Sequence, residues 1–246
     1  MILTGIHFPP NLKRSSMPPK LLFTHVCMLT LFACSNAEIG NIKDVNPETV
    51  YTNYHVTYVE SDSVVLIRAQ FTFAGPNGTT LVLNSPAKIE LDGDSIQVDS
   101  TTEDGAFYEV KKPVTAFNGS HTLIFTGTNG TKYSQPFTFK AVTLANPIPS
   151  QVPKEGMALN FTGLQDNDSI HLRVIDTSGA SNSIDTMLLV TRNKALVGNA
   201  ILQRLHPGRL IFQLGREENL PMANTTKEGG VITILQILGD RQTTLR

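Results

Sequence analysis

Five Asn-Gly or Asp-Gly pairs punctuate one stretch of this chain: Asn77-Gly78, Asp92-Gly93, Asp104-Gly105, Asn118-Gly119 and Asn129-Gly130. Such pairs tolerate the positive φ that tight hairpin turns demand. The runs between them are short and rich in Val, Ile, Thr, Phe and Tyr. A helix of ordinary length has no room in that spacing, whereas strands of a sandwich recur every 8–12 residues. The chain is therefore expected to be all-β.

Candidate strands in the first half are 50–59, 64–73, 79–83, 87–91, 106–110, 121–125 and 132–143. Pro136 cannot donate to a ladder, which places the last of these at a sheet edge or a bulge. Residues 146–153 hold Pro147, Pro149 and Pro153 and read as a stiff linker. Beyond it lie 157–161, 169–175, 183–190, 195–205, 208–214, 230–238 and 241–245. The 195–205 run fits neither period cleanly and reads as irregular, strand or a helical turn. Gly239-Asp240 reads as the turn of a closing hairpin. The expected organisation is a first domain over 46–145, a linker over 146–153 and a second domain over 154–246.

The segment before this carries a different signal. Lys13, Arg14 and Lys20 precede an apolar run over 21–33, and small Ala33 ends it. The run is too short to span a bilayer, which takes about 20 apolar residues. Met17 starts a compact version of the signal and reads as the natural start. Leu31-Phe32-Ala33-Cys34 resembles a bacterial lipobox. The resemblance implies cleavage of a signal peptide over 1–33 and a lipid on the Cys34 sulfur. Residues 34–45 would then form the lipidated cysteine and its tether, and the chain would sit at the outer membrane. The alternative is cleavage after Ala37, with Ser35 and Ala37 as the small pair, giving a soluble periplasmic product.

Processing at Cys34 removes Cys27 and occupies the second cysteine, so no thiol chemistry, disulfide or Cys-ligated metal is expected in the folded part. The same cut takes away Lys13, Arg14 and Lys20. It leaves 17 basic residues against 21 acidic ones, a net charge of −4, with no basic stripe for nucleic acid. Gly179-Ala180-Ser181-Asn182-Ser183 is the nearest approach to a nucleophile elbow and lacks the final glycine. His55, His121, His171 and His206 lie far apart in sequence. Asp92, Asp94, Asp166 and Asp168 sit in Asp/Asn/Gly turns and are candidate oxygen ligands for calcium, which takes 6–8 of them. Turn chemistry accounts for them equally well. Glu217-Glu218 and Glu103-Asp104 are neighbours on strands, so each pair points to opposite faces. No cofactor is expected.

Tyr51, Tyr54 and Tyr58 are candidate ligand-binding residues. An exposed ring face could pack against a sugar; Tyr54 and Tyr58 share a face and Tyr51 opposes them. The strand spacing, Phe117-Asn118-Gly119-Ser120-His121-Thr122-Leu123-Ile124-Phe125, and the pairing of 208–216 with 229–234 resemble immunoglobulin-like sandwich modules of gram-negative envelope lipoproteins. The Cys–Trp–Cys core of antibody domains is absent, since there is no Trp. The resemblance implies tandem immunoglobulin-like β-sandwich domains acting as a non-catalytic, lipid-anchored binding or structural module. Its partners would be the membrane, another envelope protein or a polysaccharide. A glycan-binding accessory of an uptake system is the alternative, followed by a hydrolase with carboxylates drawn from distant strands.

Overall fold

The computed structural model describes residues 37–178 and 183–246. The signal segment, Met17 and Cys34 lie outside the described residues. In chain order the strands are β1 (Ile39–Asn41), β2 (Val50–Val59), β3 (Val64–Phe73), β4 (Thr79–Val82), β5 (Lys88–Leu91), β6 (Asp94–Ser95), β7 (Val98–Thr101), β8 (Gly105–Pro113) and β9 (Gly119–Thr126). They continue as β10 (Lys132–Phe139), β11 (Thr143–Leu144), β12 (Gln151–Val152), β13 (Gly156–Thr162), β14 (Ser169–Asp176), β15 (Ser183–Thr191), β16 (Lys194–Gly198), β17 (Gly208–Leu220) and β18 (Gly230–Leu245). The fold is all-β.

Alternation sets the faces. In β2, Val50, Thr52, Tyr54, Val56 and Tyr58 are buried while the residues between them are half-buried. In β14, Ile170, Leu172 and Val174 are buried while His171 and Arg173 are exposed. Period-2 burial of this kind fixes register, because a one-residue slip would turn every apolar side chain outward.

A small sheet has the order β10-β9-β5-β6. Pro136 lies in β10, at its edge. The large sheet runs β1-β4-β3-β2-β18-β17-β14-β15-β16-β13-β11, with β8 beside β3, β7 beside β8 and β12 beside β18. Two hydrophobic clusters back it. Tyr54, Phe71, Phe125 and Phe139 belong to the first, where the Phe71 and Phe125 rings meet at a 37° tilt with centroids 4.6 Å apart. Leu172, Val174, Phe212 and Leu245 belong to the second.

The last two strands carry the main departure from expectation. β18 is one strand of 16 residues, not a strand, a turn and a closing hairpin. Gly230–Ile237 pairs parallel with Thr52–Val59 of β2, and Gly208–Phe212 of β17 pairs antiparallel with the far end of β18. Ile232 and Ile234 enter the first cluster, Leu238 and Leu245 the second. Gly239-Asp240 is a bulge. β17 takes two steps from Phe212 to Leu214 where β18 takes three from Arg241 to Leu238. The extra residue flips the buried parity from Ile232, Ile234, Gln236 and Leu238 to Thr243 and Leu245, the behaviour of a bulge marked by an in-strand glycine. Glu60, in the turn after β2, clasps it: its carboxylate accepts from Gly239 N at 2.9 Å and from Arg241 Nη2 at 2.5 Å.

Four further segments refine or depart from the sequence reading. The stretch read as tether enters the fold early, since β1 pairs with β4 and Ile42 is fully buried. The proline-rich segment is docked rather than free: Gln151 and Val152 pair with Thr244 and Leu245, and Val152 is fully buried. The 195–205 run divides into β16 and one helical turn, Asn199–Leu202. β17 also continues through Gly215 to Leu220 instead of ending at Leu214.

Candidate functional site

The face of the large sheet opposite the two clusters carries the candidate site. Cross-strand register places Met187, His171, Gly215, Ile237, Val59 and Val64 side by side in one row across six strands. The row two residues along one way holds Asp185, Arg173 and Gln213. The row two residues the other way holds Glu217, Leu235, Thr57 and Leu66. Rows two residues apart on a strand are about 6.6 Å apart. A cleft of about 640 Å³ opens over the β14–β15–β17–β18 part of these rows.

Gly215 forms its floor. A mid-strand glycine forfeits packing and chain stiffness. The backbone does not require it here, because Gly215 is not among the positive-φ residues and an added Cβ would meet only Gln236 O, at 3.3 Å. The walls are aliphatic: Met187 is 57% exposed and Ile237 42%. Leu189 and Leu196 extend the exposed apolar surface beyond Met187. One end is polar. His171 Nε2 bonds Asp185 Oδ1, and Gln213 Nε2 donates to Asp240 Oδ1 and Oδ2 at 3.2 and 3.4 Å. Arg173 is exposed and, among the described residues, takes part in no ion pair.

Farther along the same face, the Arg68 guanidinium lies 3.7 Å over the Phe107 ring and pairs with Asp104 at 2.9 Å. The Arg68 bond holds the Asp104 carboxyl below the usual carboxylate range. Burial, and then the Arg68 charge, push the His55 imidazole below its ordinary value.

The residues singled out in the sequence lie elsewhere or are otherwise engaged. Tyr54 and Tyr58 face inward, 1% and 4% exposed, with Tyr54 edge-on to Phe71 and Tyr58 edge-on to Phe139. Neither ring can meet a ligand there, because inward alternation of β2 puts both in the core. Tyr51 is half-buried on the opposite face. Asp92 accepts from Thr122 N at 2.8 Å and faces His121 Nδ1 at 2.7 Å. Asp94 lies 3.9 Å from Lys112. Asp166 accepts from Arg192 N at 2.5 Å, and Asp168 from Gln165 N and Arg216 Nη2 at 2.8 and 2.9 Å. Turn capping and ion pairing thus use the oxygens proposed for calcium. Among the described residues no group of three or more His, Cys, Asp or Glu is placed to hold a metal ion.

The fold also pairs histidines that sequence separates. Besides His121 with Asp92 and His171 with Asp185, His206 Nδ1 lies 3.0 Å from Asp176, whose carboxylate is 1% exposed. Asp176 accepts from Ser178 N and His206 N as well, and bonds from Ser178, then His206, hold its carboxyl far below the usual range. Sequence reasoning missed Arg173, Gln213, Gly215, Met187 and Asp240 as neighbours. The strand read over 208–214 stops one residue short of Gly215, because the charged residues 216–218 that follow it carry no apolar alternation. Glu217 and Glu218 do oppose one another: Glu217 lines the cleft, while Glu218 pairs with Arg216 at 3.0 Å.

No family model and no curated protein matches this chain. Solved structures similar to it include a tetra-tandem repeat from the extending region of a large adhesion protein, with 12% identity and a TM-score of 0.26. That match covers 80% of this chain, which spans about half (49%) of the repeat structure. The Bacteroides ovatus mixed-linkage glucan utilization locus SGBP-B, in complex with a mixed-linkage heptasaccharide, matches at 11% identity and TM-score 0.22, covering 86% of this chain and 67% of that one. DIP-gamma IG1+IG2 matches at 9% identity and TM-score 0.22, covering 80% and 95%. Similarity at this level assigns the chain neither a family nor a ligand.

Proposed function

We propose that this chain is a non-catalytic binding module of the bacterial cell envelope, held at the outer membrane by a lipid on Cys34, which engages its partner over the outer face of the large sheet. The cleft over Gly215 is the observation that carries the binding half. It is a concave, mixed-polarity site on an uncovered sheet face, the default location for a ligand. We read the two hydrophobic clusters as two immunoglobulin-like modules that share β17 and β18, with β18 contributing to both. The non-catalytic reading is supported by how the polar groups are spent. Asp185 is 61% exposed and satisfied by His171, and Asp240 is satisfied by Gln213. Both carboxylates lie exposed to water.

The anchor reading rests on Leu31–Cys34 and gains support from the adjoining fold. Ala37 N donates to Thr102 O at 3.0 Å, a bond that cleavage after Ala37 would discard. Two residues separate Ala37 from Cys34, so three chain steps span about 10 Å. A diacylated cysteine that close would hold the body at the bilayer surface. The test is palmitate labelling in a gram-negative host. Wild-type chain is expected to label and to fractionate with membranes, and Cys34→Ala to lose the label and become soluble. Label retained in Cys34→Ala would overturn the anchor.

A further inference from the structure

Strand β15 has one finished side and one open side. On the finished side Val190 N donates to Asp168 O at 2.8 Å, and Val190 O accepts from Asn167 N at 3.0 Å, in continuation of the β14 ladder. Backbone groups of successive strand residues point to alternate sides, so Ile184, Thr186 and Leu188 also spend theirs on β14. Asp185 and Met187 turn their N–H and C=O to the other side. There β16 pairs only with Val190 and Thr191 before it departs to run beside β13. Among the described residues no strand covers the edge from Ser183 to Met187. An uncovered edge is a template for another strand, and proteins blunt such edges with lysine or proline. β10, at the edge of the small sheet, carries Pro136. β15 holds no lysine, arginine or proline, and its one charge, Asp185, is bonded by His171. The three most exposed large apolar side chains among the described residues, Met187, Leu189 and Leu196, gather beside this edge.

We propose that two copies of the chain pair β15 to β15, antiparallel about a two-fold axis at Thr186. Charge and the free backbone groups select this register. An axis at Thr186 sets Asp185 opposite Met187 of the partner subunit, so each free N–H of these residues meets a free C=O across the axis. An axis at Asp185 would set two carboxylates against one another, and like charges directly opposite are destabilising. An axis at Met187 would bring the second strand against Leu189, where the Val190–Ala195 pairing already holds β16. Within each copy Arg173 lies opposite Asp185 and His171 opposite Met187. Across the junction each Asp185 therefore sits between its own Arg173 and the second copy's methionine. The contact is self-complementary, as a two-fold interface must be. It joins the two large sheets with their outer faces on the same side. The paired segment is short for a permanent interface, so the dimer is reversible and depends on concentration. This pairing goes beyond the binding role proposed above and does not depend on the lipid.

The experiment is sedimentation equilibrium of the full chain in density-matched detergent at increasing concentration. The expected result is a monomer–dimer equilibrium. Met187→Glu puts a carboxylate opposite Asp185 at both symmetric positions and should raise the dimer dissociation constant about tenfold. Met187→Lys puts an ammonium there instead and should leave that constant unchanged or lower it. Nonspecific association of the apolar patch would weaken in both variants, since both lose the methionine. Adding Asp185→Lys to Met187→Glu reverses the pair and should restore dimerisation. Circular dichroism verifies that each variant keeps the fold. A monomer at every concentration would overturn the proposal. So would equal weakening by Met187→Glu and Met187→Lys, or a double variant no better than Met187→Glu alone. Failure of palmitate labelling would leave these outcomes untouched, so the anchor and the pairing stand or fall separately.

Discussion

Because β18 belongs to both clusters, damage in one should be felt in the other, and the tyrosines make this measurable. All five lie between Tyr51 and Tyr133, in the first half, and there is no Trp to mask their emission. Phe212 is fully buried in the second cluster, on β17. Phe212→Ala removes a phenyl ring and leaves a cavity, at about 3–5 kcal/mol. A chain of this size has a urea m-value toward the top of the usual range, about 1–3 kcal/mol per M. The midpoint should therefore fall by roughly 1–2 M. The assay is urea unfolding of the same samples followed by tyrosine emission and by far-ultraviolet circular dichroism. The shared strand predicts that both signals shift together in one transition. A tyrosine midpoint that stays in place while circular dichroism shows a separate, earlier step would refute the coupling. It would mean that the ladder between β2 and β18 does not transmit stability between the halves.

Gln236 is 1% exposed on β18, where its Oε1 accepts from the buried Val142 N at 2.8 Å and its Nε2 donates to Lys140 O at 3.2 Å. Gln236→Met keeps the volume but orphans a buried N–H, so a loss of about 1–3 kcal/mol is expected by urea unfolding. The exposed Gln242→Met should stay within about 0.5 kcal/mol as a control. For Asp176, the hydrogen bonds from Ser178 and His206 depress the folded carboxyl below its unfolded value of about 3.9. Its contribution is therefore fully present above that unfolded value and is lost as pH falls toward the folded one. Wild-type stability should drop between pH 5 and 2 (about the range of ordinary carboxylate titration) more steeply than that of Asp176→Asn. Equal slopes would contradict the assignment.

Much of the fold was legible in the chain because local rules governed it. β2 and β3 begin and end at the residues that alternation and flanking turns indicate, 50–59 and 64–73. The edge position of Pro136 followed from its missing N–H. The candidate site was not legible for the same reason in reverse. Its members come from β14, β15, β17 and β18, and no local pattern says which strands become neighbours. Tyr54 and Tyr58 illustrate the limit. Their shared face was readable from spacing, but which face met the core depended on the small sheet packing over it.

Gly215 and Gly239 show the division most sharply. Sequence alone determined that the chain is all-β, where most strands lie and which residues alternate, since these follow from φ tolerance, side-chain period and turn chemistry within a few residues. Both glycines follow apolar runs and precede charged residues, so local rules mark each as the end of a strand. Tertiary structure decided otherwise. Pairing of β18 with β2 on one side and β17 on the other supplied hydrogen-bond partners on both edges, so the strand continued through its bulge. That continuation joined the halves in one sheet and opened the cleft over Gly215, a feature fixed by long-range pairing that no local sequence signal encodes.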